Sequence, residues 1–341
     1  MQISIALATW NGENFLEPQL ESLLRQTTPP YEVVVSDDGS TDRTLTILGE
    51  FAAMAPFDVR IEVNPQRLGY ADNFLHAASM CSGEFIAFCD QDDVWLPSKL
   101  ARCAELLRVS GAVLLIHRNL VVTGNLTPTA RKIPTFSRSS TAAPLRVQPW
   151  MLSPGNAMIF SRRILDFDSK RRPSGLGDTA TRMTHDEWTY FIGTAIGWTH
   201  FSPNVFVYYR QHGTSVFGAS GRSSLRERIA PGNYEFLAER ANERKLFFKE
   251  LEASASAAFE RECYRRAAEH YGALFRRLEA RAAVYSANAG FTRRLATFSR
   301  LAGQGGYKSR TRGGLGLRSF LKDASHILMP GAWSPPTQRS L

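Results

Sequence analysis

Several things are scarce in this chain, and each scarcity excludes a class. No run of about eighteen apolar residues occurs, so no transmembrane helix is expected. The start, Met1-Gln2-Ile3-Ser4, enters an apolar stretch without a basic leader, so no secretory signal is expected either. Cysteine is sparse: Cys81, Cys89, Cys103 and Cys263 show no C-x-x-C spacing. They fit reduced, mostly buried thiols of a cytoplasmic protein rather than a disulfide framework or a zinc site. The turn Thr9-Trp10-Asn11-Gly12-Glu13 holds no lysine or arginine to grip a triphosphate. The C-terminal third lacks zinc spacing and any RNA-binding aromatic signature, which leaves no nucleic-acid partner.

What is present starts with an uneven charge. Residues 1–219 carry 19 Lys and Arg against 21 Asp and Glu, whereas residues 220–341 carry 22 against 11. The overall charge of +9 is therefore a property of the C-terminal third. Such asymmetry points to an anionic surface as partner.

Within the first part, short apolar strands alternate with helical periodicity. Ile3–Ala8 reads as a strand and Thr9–Gly12 as a turn. Leu16, Leu20, Leu23 and Leu24 share one helical face. Glu32–Val35 is a β-branched strand running into Ser36-Asp37-Asp38-Gly39-Ser40-Thr41-Asp42, where Ser40 or Thr41 is placed to cap the next helix. Arg60–Val63 is a third strand, Asn64–Gly69 a loop, and Asp72–Met80 a helix. An apolar strand then ends in Asp90-Gln91-Asp92-Asp93, followed by a helix over about 97–108. This alternation predicts a doubly wound, mainly parallel α/β sheet. After a strand at Ala112–Ile116, the Pro-, Ser- and Thr-rich stretch 124–149 reads as a long surface excursion on the acceptor side. Lys170, Arg171 and Arg172 read as a basic cluster in a mobile loop. A helix opens at Thr184, and a strand at 205–209 ends in Arg210-Gln211-His212-Gly213. From residue 219 the texture is amphipathic helix, with a Gly/Arg/Lys-rich loop over 303–316 and a last amphipathic segment at 317–328. The expected division is 1–218 and 219–341.

The acidic stretch is the chemical centre of this pattern. Three carboxylates within four residues repel one another, and a hard divalent cation relieves that repulsion. Mg²⁺ is typically held by one or two carboxylates, with substrate phosphates completing its shell. At the carboxyl end of a strand this reads as a metal–diphosphate site; a solvated acidic turn is the alternative.

The pieces Ala8–Gly12, Val35–Asp42, Asn64–Asn73, Asp90–Trp95, His185–Trp188 and Tyr209–Gly213, in that order, resemble an inverting family 2 glycosyltransferase of the GT-A fold. The narrower resemblance is to the rhamnosyltransferase-like branch that builds bacterial surface polysaccharides such as O-antigen. It covers residues 1–215. It implies that Thr9, Asp37 and Asp38 hold the nucleotide, with a carboxylate accepting the imide N–H of uracil or thymine, and that Asn11, Arg67, Asn73, Asp90 and Gln91 lie along the donor. Asn11 also fits a plain turn residue and Asn73 a helix cap. Asp92, Asp90 and His212 are implied ligands of a Mg²⁺ or Mn²⁺ ion, and Asp93 supports them from behind. Trp95 packs under the sugar or anchors the core. Asp186 aligns with the catalytic base, Glu187 being the weaker candidate. The implied reaction moves a sugar, rhamnose first among candidates, from a dTDP- or UDP-sugar to a glycan or lipid-linked acceptor. Such a protein would sit in the cytoplasm or peripherally on the inner membrane face, touching it through the basic C-terminal region, Leu317–Leu328 above all. A nucleotidyltransferase making an activated sugar, and a non-catalytic glycan- or nucleotide-binding module, are the alternatives.

Overall fold

The computed structural model describes residues 1–151, 153–177, 181–212, 233–286, 288–308 and 315–328. Gly213, the basic residues 219–232 and the middle of the 303–316 loop lie outside them.

The chain divides into two compact units. The first comprises Met1–Pro144, Met151–Arg172 and Met183–Gly218. Its first half is a parallel sheet of β1 (Ile3–Thr9), β2 (Glu32–Asp37), β3 (Asp58–Val63) and β4 (Phe85–Asp90), in the spatial order β3-β2-β1-β4. β1 and β2 are buried along their whole length because helices cover both faces, which is why they read as unbroken apolar runs rather than alternating ones. On one face Ile5, Leu7, Val33, Val35 and Cys89 pack with Leu16, Leu20 and Leu23 of α1 (Leu16–Leu24), Ile47, Leu48 and Phe51 of α2 (Thr44–Met54), and Leu100, Cys103 and Leu107 of α4 (Lys99–Ser110). On the other face Phe74 of α3 (Tyr70–Met80) meets Phe88 edge-on, with ring centroids 5.5 Å apart.

Beyond β4 the sheet becomes mixed. β9 (Met158–Ser161) runs antiparallel between β4 and β6 (Leu114–Thr123). β10 (Thr199–Gln211) runs parallel to β6, and the short β5 (Val94–Trp95) lies antiparallel on β10. α5 (His185–Ile196) packs on β9 and α3.

Three local expectations are corrected. The stretch 124–149 is not simply a surface excursion: β7 (Pro128–Ile133) pairs with β6, and β8 (Ser140–Ala142) with β10. Its prolines are accommodated at the start of β7, where no ladder N–H is missed, and just outside the strands. Arg172 is not a mobile loop residue; it is buried, and its guanidinium bonds Asp72 at 2.6 Å and the Met183 carbonyl at 2.9 Å. Neither Ser40 nor Thr41 caps α2: Arg43 stands at the N-cap without a side-chain cap bond, Asp42 before it accepts from the Thr44 N–H at 3.0 Å, and Ser40 turns back to Asp37.

The second unit comprises Leu145–Trp150, Pro173–Arg182 and Ala219–Leu341. α6 (Tyr234–Ser254) and α7 (Ala258–Tyr285) pack along each other, followed by α8 (Phe291–Gly303) and α9 (Leu317–Leu328). The inserted segments belong here: the Arg244 guanidinium lies 4.2 Å over the Trp150 ring, and the Ser174 N–H bonds Glu243 at 2.9 Å. Asp323 is fully buried and accepts from Arg281 twice, at 2.8 and 2.6 Å, and from the hydroxyls of Tyr285 (2.9 Å) and Tyr307 (2.7 Å). Among the described residues no helix is long and apolar enough to cross a membrane.

Candidate active site at the carboxyl edge of the sheet

Because β2, β1 and β4 are parallel neighbours, the loops leaving their carboxyl ends lie side by side, the place where open α/β sheets bind ligands. Those loops are knitted to one another. The Thr9 hydroxyl donates to Asp37 at 2.7 Å, and Asp37 also accepts from the Ser40 N–H (2.7 Å) and hydroxyl (2.6 Å). Asp38 holds the 64–69 loop through the N–H groups of Leu68 (2.6 Å) and Gly69 (2.8 Å) and the Asn64 amide (3.1 Å). Gly69 has φ +83°, a left-handed conformation that side chains resist, so the loop presents its N–H to Asp38 only with glycine there.

The expected donor residues divide into two groups. The side chains of Asn11, Asn73 and Gln91 are engaged within the protein. Asn11, at φ 46°, accepts from the Thr41 N–H at 2.8 Å. Asn73 sits inside α3 rather than capping it and links Asn64 (2.9 Å) to the Thr9 carbonyl (3.3 Å). Gln91 pairs with both backbone groups of Trp10, at 2.9 and 3.1 Å. Arg67 remains at the rim, its side chain 58% exposed, 3.8 Å from Asp38 and stacked 3.6 Å over the Trp10 ring. Trp10, itself exposed, was not singled out from sequence; an aromatic in the first carboxyl-end loop was the available signal.

The acidic loop is densely supported. Burial, then the charges of Asp92 and Asp186, push the Asp90 carboxyl up to about 8, against the pull of Lys99. Burial, then the charges of Asp92 and Asp90, push Asp93 well up. Asp93 is fully buried; it accepts from the Arg210 N–H at 3.0 Å and from the Asn156 amide. The Arg210 side chain donates to the carbonyls of Asp92 (2.7 Å) and Gly124 (2.8 Å). His212, stacked on Phe15, meets Asp92 at 2.8 Å. Beneath the loop lies a fully buried Lys99. Its ammonium donates to the Asn156 carbonyl at 2.8 Å and sits 3.3 Å over the Trp95 ring. Burial pulls its pKa down to about 8. Trp95 is therefore placed as a core anchor, buried under that lysine, and not as a sugar platform. Lys99 too was missed in the sequence, although it shares the buried stripe of α4 with Leu100, Cys103 and Leu107.

The remaining carboxylate enters from α5. Thr184 and Glu187 form a reciprocal capping box, the Glu187 carboxylate accepting from the Thr184 N–H at 3.1 Å. Glu187 is thereby a helix cap. Asp186 accepts from the Thr184 hydroxyl and from the Glu187 N–H at 2.9 Å, in the first turn, where the helix dipole favours negative charge. Its charge reaches Asp90 on one side and Tyr70 on the other, where burial, then the charges of Asp186 and Glu187, hold the phenol protonated. His185 turns inward and stacks on Phe74 at 4.1 Å; burial, then Arg172, pull its pKa down to about 3, so the ring is neutral. A Cβ on Gly155 would stand 2.4 Å from its Nε2.

No three His, Cys, Asp or Glu side chains gather as a ready-made metal cage among the described residues. The donor set nevertheless fits a Mg²⁺-like ion, which takes one or two carboxylates and completes its shell with phosphate oxygens. Asp90, whose charge is disfavoured by its acidic neighbours, is the kind of ligand that such a cation relieves.

Residues 4–166 match the model of the family described as glycosyl transferase family 2. Residues 4–166 belong to that family. An uncharacterized glycosyltransferase of Nostoc sp. is 25% identical over 219 residues, 63% of this chain and 66% of the relative. The dTDP-rhamnosyl transferase RfbG of Shigella flexneri is 34% identical over 110 residues, 31% of this chain and 38% of that protein. The chain thus spans 60 to 66% of the length of the first curated relatives it matches. Among solved structures, a fragment of S. aureus TarS in complex with UDP-GlcNAc superposes with a TM-score of 0.52 at 18% identity, over 91% of this chain and 93% of that one. That likeness fixes the fold, a GT-A mixed sheet with C-terminal helices.

Proposed function

We propose that this protein is an inverting, metal-dependent glycosyltransferase that uses a pyrimidine nucleoside diphosphate sugar. The observation that carries the reading is the convergence of Asp186 on the Asp90–Asp92 loop from a separate element, at the carboxyl edge of a GT-A sheet. Among donors, dTDP-rhamnose stands first, supported by the likeness to RfbG; the acceptor is a glycan or a lipid-linked saccharide.

The base of the nucleotide lies against the Thr9–Asp37–Asp38 cradle, beside the exposed Trp10 ring. A carboxylate oxygen there accepts the imide N–H of uracil or thymine, and Arg67 faces the diphosphate. Asp90 and Asp92, with His212 beside them, would hold a Mg²⁺ or Mn²⁺ ion, whose chemistry there is Lewis-acid stabilisation of a departing diphosphate. The acceptor oxygen attacks the anomeric carbon from the face opposite the diphosphate. As the new carbon–oxygen bond forms, the old one breaks, and its electron pair leaves on the diphosphate oxygen. The acceptor proton passes to the Asp186 carboxylate. The Thr184 hydroxyl and the Glu187 N–H orient that carboxylate at Oδ1.

The test is Asp186→Asn with a panel of nucleotide sugars and Mn²⁺. The variant should bind donor within about twofold of the parent while transfer falls by roughly 10²–10⁴, the usual weight of a general base. Equal loss of donor binding and transfer would remove Asp186 from that role.

A further inference from the structure

α9 carries apolar residues on two faces, and the fold uses one. Inward, Ile327 is buried, Asp323 is locked to Arg281, and Phe320 packs against Phe298 and Tyr307 at 5.1 and 5.3 Å. Outward, Leu317, Leu321 and Leu328 are 69%, 58% and 73% exposed. Their spacing of four and seven residues places them on one stripe of the helix. α8 repeats the feature: Phe291 and Leu295, one turn apart, are exposed. Leucines on the outer face of an already anchored helix add nothing to the core, and leaving them in water forgoes their burial.

The exposed charges of these two helices and the segment joining them are of one sign. Residues 291–328 hold eight lysines and arginines and a single acid. That acid is Asp323, which is buried and paired internally. Arg293, Arg300, Lys308 and Arg318 are exposed, and no Asp or Glu interrupts them. A partner protein matched to this face would need an apolar patch ringed by acids. An anionic bilayer surface presents that combination everywhere: acyl chains just below a negative headgroup layer. Helices with leucine on one side and arginine or lysine around it lie in that boundary, and each cation near an anionic leaflet adds to the attraction.

We infer that α8 and α9 form an interfacial docking face for anionic lipid. The leucine stripe Leu317–Leu321–Leu328 enters the headgroup–acyl boundary, and Arg293, Arg300, Lys308 and Arg318 face the lipid phosphates. The inference stands apart from the catalytic reading, because vesicle binding needs neither donor nor cation. It gives a reason for the basic C-terminal third that the sheet edge does not.

The experiment is flotation of the full chain with vesicles of phosphatidylcholine alone and of phosphatidylcholine and phosphatidylglycerol in equal parts, at low and high salt. The parent should float with the anionic vesicles, at least about tenfold better than with the neutral ones, and less at high salt, where charges are screened. The triple variant Leu317→Ser, Leu321→Ser, Leu328→Ser changes only exposed positions and should bind at least about tenfold more weakly, from the apolar area withheld. A second variant, Arg293→Gln, Arg300→Gln, Arg318→Gln, should lose the preference for anionic vesicles and the salt dependence. Failure of the parent to float, unchanged binding by the leucine variant, or equal binding to neutral vesicles would each overturn the inference. So would a parent dimer that the leucine variant converts to monomer without any vesicle binding, since the stripe would then be a contact between copies of this chain. Transfer to a soluble acceptor, measured in parallel, reports on the active site independently.

Discussion

Replacing Lys99 with methionine isolates the charge beneath the acidic loop. The ammonium is fully buried, with the Asn156 carbonyl at 2.8 Å and the Trp95 ring at 3.3 Å. Its pKa falls from 10.5 to about 8 through burial. A shift of this size corresponds to about 3 kcal/mol, at about 1.36 kcal/mol per unit. The sign follows from proton counting. Between pH 8 and 10.5 the unfolded chain holds a proton that the folded chain has released, so this group makes stability rise with pH. Below that window both states carry the proton, and the folded state bears the full cost of burying it. Methionine removes the cost together with the bond to Asn156, worth about 1.5–3 kcal/mol for a charged donor, and the contact with Trp95, about 2 kcal/mol when desolvated. Lys99→Met should therefore lie within about 2 kcal/mol of the parent at pH 7. Relative to the parent it should lose a further 2–3 kcal/mol or so by pH 10. Urea unfolding of both proteins at the two pH values reads this double difference. The buried thiols of Cys81 and Cys103, pushed up to about 12 by burial, act in the opposite sense but largely cancel between the two proteins. Parallel stability curves from pH 7 to 10 would refute the assignment of a buried, partly discharged lysine.

Two other substitutions probe the scaffold. Gly155→Ala places a Cβ 2.4 Å from the His185 imidazole, which stacks on Phe74 and meets Phe88 edge-on. It should destabilise by roughly 1–3 kcal/mol, the range for overpacking, lower transfer by displacing the start of α5, and show as a lower melting temperature. In the second unit, Asp323→Ala strands the buried Arg281 guanidinium and two tyrosine hydroxyls. The expected loss is about 3–5 kcal/mol, seen as early protease cleavage within 258–328 while donor binding persists.

Much of the first half of the fold was legible because its strands are buried on both faces and bounded by polar turns. The strands expected at Ile3–Ala8, Glu32–Val35 and Glu84–Cys89 are found for that reason, within a residue or two, as Ile3–Thr9, Glu32–Asp37 and Phe85–Asp90. β7 and β8 did not, because edge strands rich in proline, serine and threonine carry neither an apolar run nor a clean alternation. Arg172 read as solvated because sequence cannot show that Asp72, a hundred positions away, reaches it. The acidic loop and Asp186 were legible as a motif, and the structure brings them together. What supports them was not. Asn156, Lys99 and Arg210 meet through β9, α4 and β10, and no local pattern announces a lysine on a buried helix face. Gln91, Asn11 and Asn73 lie within the motifs, but their amides tie together the loops at the carboxyl edge of the sheet.

On the proposed mechanism the sheet edge binds a nucleoside diphosphate together with a divalent cation at Asp90 and Asp92. Calorimetric titration of UDP and of dTDP into the full chain, with and without Mn²⁺, tests it directly when repeated on Asp92→Asn. Mn²⁺ should tighten nucleotide binding by at least about tenfold in the parent, the effect of a cation shared between carboxylate and phosphate. In the variant this enhancement should disappear while weak binding through the Thr9–Asp38 cradle remains. Nucleotide binding that ignores both the cation and the substitution, or no binding at all, would contradict it.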